Sequence, residues 1–289
     1  MCGDYVRLLR MAFLPALCWC AGYVAAPQGK AAEMVYPLSV VVDAAGNAFV
    51  ADRELPGVWK VTDGALSLLF QGEKKFGTPL NAVRCLALDQ EGKLLVGDSA
   101  TREVYRFDAE GKPQPLTKGG IGLPIAIAVA KRGDVFVADL ELHIIYKVPA
   151  AGGKPAEFAR VTAPRGMTID AEDNLWIICH RSDLLMKLSP DAKKTVVVKG
   201  QPLPEKSFPA GIVVGKDGAA YIADGYNKTV WKVAADGKPV KLIAGEPLVH
   251  PVGLAWRGEK LLVADPRAKG LIEVDLDGKG TKLEIKPAP

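Results

Sequence analysis

Six apolar runs of the chain each stop on a polar residue: AFVAD at Asp52, LLVGD at Asp98, VFVAD at Asp139, LWIICH at His180, AYIAD at Asp224 and LLVAD at Asp265. The steps between these terminal residues are 46, 41, 41, 44 and 41 positions. A pattern that returns about every 40 residues marks a unit that cannot bury its own apolar face and stacks against copies of itself. Five of the terminators are Asp and the fourth is His180.

The fifth repeat shows the unit most clearly. Its β-rich runs at 211–214, 219–223, 229–233 and 239–243 are separated by the turn residues Lys216-Asp217-Gly218, Gly225-Tyr226-Asn227 and Asp236-Gly237. The first two runs are apolar at nearly every position, as strands covered on both faces must be, whereas the fourth alternates. Inner strands buried and outer strands half exposed is the radial order of a blade, so the expected fold is all-β: a six-bladed β-propeller of four-stranded antiparallel blades. The third strands carry a large residue followed by a charged one, as in Trp59-Lys60, Tyr105-Arg106 and Trp231-Lys232. Recurrence at one site in every blade points to packing between blades rather than to a ligand platform. The repeated Asp is expected to accept backbone N–H groups from the following loop or from the neighbouring blade. Leu283 to Lys286 is expected to supply the last outer strand.

The 289 residues carry a formal net charge of +4, and the basic residues are spread through all repeats without a block or stripe. That distribution argues against a nucleic-acid footprint. At the N-terminus, Arg7 and Arg10 precede the apolar stretch Met11 to Val24 and the small residues Ala25 and Ala26. This is the pattern of a secretory leader, too short and too interrupted by Pro15 for a spanning helix, which needs about 20 apolar residues. The expected organisation is a leader and short linker over 1–32 and a propeller over 33–289, in a secreted or periplasmic, monomeric protein. Cys85 and Cys179 remain in the mature chain, on inner strands of non-adjacent repeats, and are expected to act as small apolar residues.

The pattern Pro-x-Gly, apolar strand, Asp-x-x-Gly-x, apolar strand, Ala-Asp resembles the NHL-repeat family of six-bladed propellers over about residues 36–287. The fourth repeat, Pro164-Arg-Gly-Met-Thr-Ile-Asp-Ala-Glu-Asp-Asn-Leu-Trp176, and the sixth, Pro251-Val-Gly-Leu-Ala-Trp256, are similar to the gluconolactonase and senescence-marker-protein superfamily. That resemblance implies a divalent metal held by the Asp of a Pro-Asp-Gly element and the Asn of a Pro-Asn-Gly element. Arg165 and Val252 stand there instead, and Pro37-Leu38-Ser39 stands where an N-terminal Glu ligand belongs, so no metal or other cofactor is expected. Asp224-Gly-Tyr226 also resembles the amidating lyases of peptide hormones, which use a three-His zinc; this chain has three His, His143, His180 and His250.

Loops entering first strands and leaving second strands emerge on one face of a propeller, which gathers Arg84, Arg165, His180, Arg181, Asp183, Tyr226, Asn227, His250 and Arg267. Of these, Arg84, Arg165, His180, Arg181, Tyr226 and His250 are the candidate binding residues, and no catalytic residue is assigned. The leading expectation is a non-enzymatic exported binding module for a protein partner or a small anionic ligand. The alternative is a metal-assisted hydrolase, lactonase or lyase with altered ligands.

Overall fold

The computed structural model describes residues 33–288 other than 56, 74, 76, 181 and 205. The expected leader and the candidate Arg181 lie outside the described residues. Six sheets follow one another along the chain, each a meander of four antiparallel strands in sequence order, and the first sheet carries a fifth strand. This is the expected six-bladed β-propeller. The inner strands are Pro37–Val42, Val83–Leu88, Pro124–Val129, Pro164–Ile169, Pro209–Val214 and Gly253–Arg257.

Second strands are buried on both faces because each blade is sandwiched. In blade 3, Val135 and Val137 pack with Leu95 and Val104 of blade 2, while Phe136 and Ala138 pack with Leu175 and Ile177 of blade 4. Continuous apolar runs, rather than alternation, are the consequence. Blade 2 shows how tightly the stack constrains side-chain size. Cys85 fills a slot that is Gly in blades 4, 5 and 6, and its Sγ would lie 2.5 Å from a Cβ on Gly97. Gly97 accordingly replaces the Ala of blades 1, 3, 5 and 6. Both thiols are free and buried. Burial pushes Cys85 up to about 12 and Cys179 to about 11, so neither is a thiolate near neutrality.

The five terminal Asp are fully buried, and each carboxylate accepts four hydrogen bonds. Asp139 shows the scheme: it takes the N–H groups of Gly122 and Leu123 at 2.6 and 3.1 Å and those of Glu141 and Leu142 at 2.9 and 3.0 Å. The first pair belongs to the loop entering the first strand of the same blade. The expectation of bonds from a neighbouring blade is therefore corrected: each Asp clips the entering loop and the exit loop of its own blade together. In blades 1 and 5 the third-strand tryptophan completes the shell, with Trp59 and Trp231 donating Nε1–H to Asp52 and Asp224 at 3.3 and 3.2 Å.

Blade 4 is built differently. Only residues 161–163 separate its first strand from the preceding outer strand, against connectors of 8 to 11 residues at the other four junctions between blades. The last connector residue, Ala163, adopts φ +47°. His180 N–H still donates to Ala163 O at 3.1 Å, the same backbone tie that Ser99 makes to Ala82 at 3.0 Å. The carboxylate clip is what this blade lacks. Its exit loop is held instead from the following connector: Gln201 Nε2 donates to Cys179 O at 3.1 Å and to Ser182 O, and Gly200 N–H donates to Asp183 at 2.6 Å. The third-strand position here is Met186, which brings no N–H or O–H.

Ring closure also departs from expectation. The last outer strand is Gly280–Lys282, not 283–286, and the chain then crosses to blade 1, where Lys286–Pro287 pairs in parallel with Ala65–Gln71. Leu283 and Ile285 pack against the blade 1 and blade 6 cluster of Val40, Trp59, Leu66 and Leu262. Parallel addition is available because the outer edge of blade 1 offers unpaired backbone groups that a passing strand can satisfy.

Two outcomes follow for stability. Ending the chain at Lys282 removes this strand and two partly buried aliphatic side chains, a loss of about 2–4 kcal/mol; a thermal scan should show a melting temperature lower by about 5–15 °C, and an unchanged one contradicts the closure described. Asp139→Ala should cost about 1–3 kcal/mol in urea unfolding, and His180→Asp should also destabilise, by about 1–2 kcal/mol, because a buried carboxylate here meets a three-residue connector ending on Ala163 at φ +47° rather than the longer connectors the other Asp residues clip. A stabilised His180→Asp protein would show that blade 4 can be clipped like the others.

Candidate functional site

The six inner strands enclose a central channel of about 500 Å³. Its wall is made of strand edges, whose outward backbone groups have no further strand to pair with. Two side chains meet part of that demand: Ser39 Oγ accepts Leu86 N–H at 3.2 Å and Trp256 Nε1–H donates to Val214 O at 2.8 Å, each linking neighbouring inner strands.

One mouth of the channel is ringed by the residue that follows the strand-opening Pro or its counterpart: in blade order Leu38, Arg84, Ile125, Arg165, Ala210 and Val252, all of which line the channel. In blades 1 to 5 the ladder shifts register at this residue, a bulge that removes it from pairing and re-aims its side chain. Both arginines stand on the arc of blades 2 to 4, with Ile125 between them. The arc of blades 5, 6 and 1 carries only Ala210, Val252 and Leu38. The mouth is thus cationic on one side and small and apolar on the other.

Arg84 Nε–H donates to Ser99 Oγ at 3.2 Å. The Arg165 guanidinium lies over the ring of Phe208, 4.9 Å from its centroid, and the His180 ring tilts against the same phenyl at 6.0 Å and 58°. Phe208 also lines the channel and is 37 % exposed. The sequence reading did not single it out. The signal present was positional: Phe208 occupies the residue immediately before the strand-opening Pro, as do Tyr36 and His250.

The other candidates lie away from this cluster. Tyr226 is 56 % exposed on the exit loop of blade 5. His250 donates its N–H to Asp265 at 2.7 Å, and its ring lies against Gly225, where a Cβ would come within 2.8 Å; it is a packing residue beneath the Tyr226 loop and does not line the channel. Asn227 donates Nδ2–H to Asp224 and to Ser207 at 2.8 and 2.9 Å, which makes it part of the blade 5 clip. Asp183 ties the exit loop of blade 4 to Gly200. Arg267 donates its N–H to Asp265 at 3.1 Å.

The residues present do not fit a divalent metal. A hard cation takes oxygen ligands, whereas the mouth places Arg165 and Val252 where the lactonase resemblance puts them. Among the described residues no three His, Cys, Asp or Glu side chains converge, so His143, His180 and His250 do not form a ligand set. The nearby Asp carboxylates are fully occupied in clipping loops.

No family model matches the chain. Over 64 residues, 22% of its length, it is 34% identical to human NHL-repeat-containing protein 4, and the match spans about half (49%) of that relative. Among solved structures, virginiamycin B lyase from Staphylococcus aureus superimposes with a TM-score of 0.67 at 16% identity, covering 90% of this chain and 88% of the other. A gluconolactonase from Xanthomonas campestris gives 0.67 at 15% identity, covering 81% and 84%. A chain of the nidogen/laminin complex gives 0.65 at 16%, covering 83% and 89%. The protein is a six-bladed β-propeller that is similar over 64 residues to an NHL-repeat protein and whose structural neighbours include a gluconolactonase and a virginiamycin B lyase.

Proposed function

We propose that this protein is an exported binding module that takes a small carboxylate-bearing ligand at the channel mouth, with Arg84 and Arg165 as its charge partners. The observation that carries this reading is the placement of two guanidinium groups, each delivered by a backbone bulge, on one arc of a mouth that opens on a channel of about 500 Å³. Arg stays charged at every accessible pH and presents a fork that matches a carboxylate. A concave site of this size with few convergent polar groups is the common form of a small-ligand site. His180 and Tyr226 stand at the periphery. A protein partner would engage the wider face, including the exposed Tyr226.

The second reading, a hydrolase or lyase, is favoured by the enzymes among the fold's neighbours. It needs groups other than the lactonase ligand set, since that set is replaced. Assay of lactone hydrolysis with and without Ca, Mn or Zn addresses it directly, and turnover would favour it.

Calorimetry with acetate, benzoate, gluconate and citrate, and with acetamide and benzamide as neutral counterparts, tests the binding reading. At least one carboxylate is expected to bind better than its neutral counterpart, with affinity falling as salt rises. The Arg84→Ala, Arg165→Ala double variant is expected to lose about tenfold or more, since a charge-assisted hydrogen bond contributes about 1.5–3 kcal/mol. Failure of every carboxylate to bind, or equal affinity in the double variant, overturns the assignment.

A further inference from the structure

Resting on the reading of the mouth as a carboxylate site, we infer that Phe208 is its specificity-determining residue and that the ligand carries an aromatic ring beside its carboxylate. Phe208 differs from its counterparts before the strand-opening Pro. Ala82, Leu123 and Ala163 bring no ring, Tyr36 is engaged with the Arg53 guanidinium at 5.7 Å, and the His250 ring lies on Gly225. Phe208 alone among the six lines the channel. It keeps 37 % of its surface exposed at a wet rim, although a phenyl ring gains about 1.5–3 kcal/mol by full burial.

Its position is fixed from both ends. Its own N–H donates to Asp224 at 2.9 Å, and the far end of the same connector is tied to blade 4 through Gln201 and through Asp183 with Gly200. The ring is thereby held against Arg165 without being covered. Beyond it the mouth continues onto Ala210 and Gly211, which are small. A carboxylate taken by Arg165 has its adjacent group directed to this junction of phenyl edge and open apolar arc. A flat aromatic ring fits there and adds an aromatic pair term that a saturated ring of similar size lacks. The blade that has exchanged its Asp clip for His180 is the blade that supplies Arg165 and the second ring against Phe208, so the irregularity of the repeat and the selectivity of the site have one location.

The probes are acetate, cyclohexanecarboxylate and benzoate, titrated calorimetrically into the wild type, Phe208→Ala and Phe208→Tyr. The wild type should prefer benzoate over cyclohexanecarboxylate by about two- to tenfold. Phe208→Ala should erase that preference and Phe208→Tyr should keep it. Equal affinities for the two ring acids in the wild type, or a preference that survives in Phe208→Ala, overturns the inference. If all three carboxylates bind in an Arg165-dependent way without a ring preference, the carboxylate site stands and this inference falls. If none binds, both fall.

Discussion

A buried carboxylate at the end of the second strand in five of the six blades is the interaction on which the rest of the structure depends. A propeller blade ends in two loops, one entering the first strand and one leaving the second, and both bring backbone N–H groups into a crowded rim where water is scarce. An unpaired buried donor costs about 1–3 kcal/mol. In five blades one Asp pairs four donors at once, backbone N–H groups of both loops among them, and in doing so it fixes where the entering loop meets the inner strand. The residue after that meeting point is the bulged one that lines the channel mouth. The clips therefore decide not only stability but which side chains can face a ligand.

Blade 4 follows from the same constraint with one term changed. Its connector, 161–163, is three residues long and ends on Ala163 at φ +47°. His180 stands there in place of the Asp. The exit loop is then secured from the other side, by Gln201 and Asp183 with Gly200. That rearrangement brings the connector bearing Phe208 against blade 4, between Arg165 and His180. The departure from the repeat and the cation–aromatic cluster are one structural event.

Much of this was legible in the sequence and some was not, for identifiable reasons. The period of about 40 residues, the buried second strands and the strand limits of the fifth repeat could be read because alternation and apolar runs report burial directly. Arg84 and Arg165 were assigned to the channel face from their place in the repeat, and both line the channel. Partners of the Asp were misassigned because carboxylate reach depends on how two loops converge, which a linear pattern does not encode. Asn227 was grouped with the candidate face on position alone, although its side chain serves the Asp224 clip. The C-terminal strand was placed in the wrong blade because a parallel edge addition has no turn to announce it. Phe208 was missed because only the folded connector brings it to the mouth.

Hydrogen exchange of individual amides tests the central claim most directly, because it reads the clips themselves. The N–H groups of Tyr36, Ala82, Leu123, Phe208 and His250, which the five Asp accept, are expected to exchange only on large-scale opening, while Thr162 and Ala163 of blade 4 exchange faster by at least about tenfold. Uniform protection across all six entering loops would contradict the view that blade 4 alone has no carboxylate clip and that the site is built where the ring is held differently.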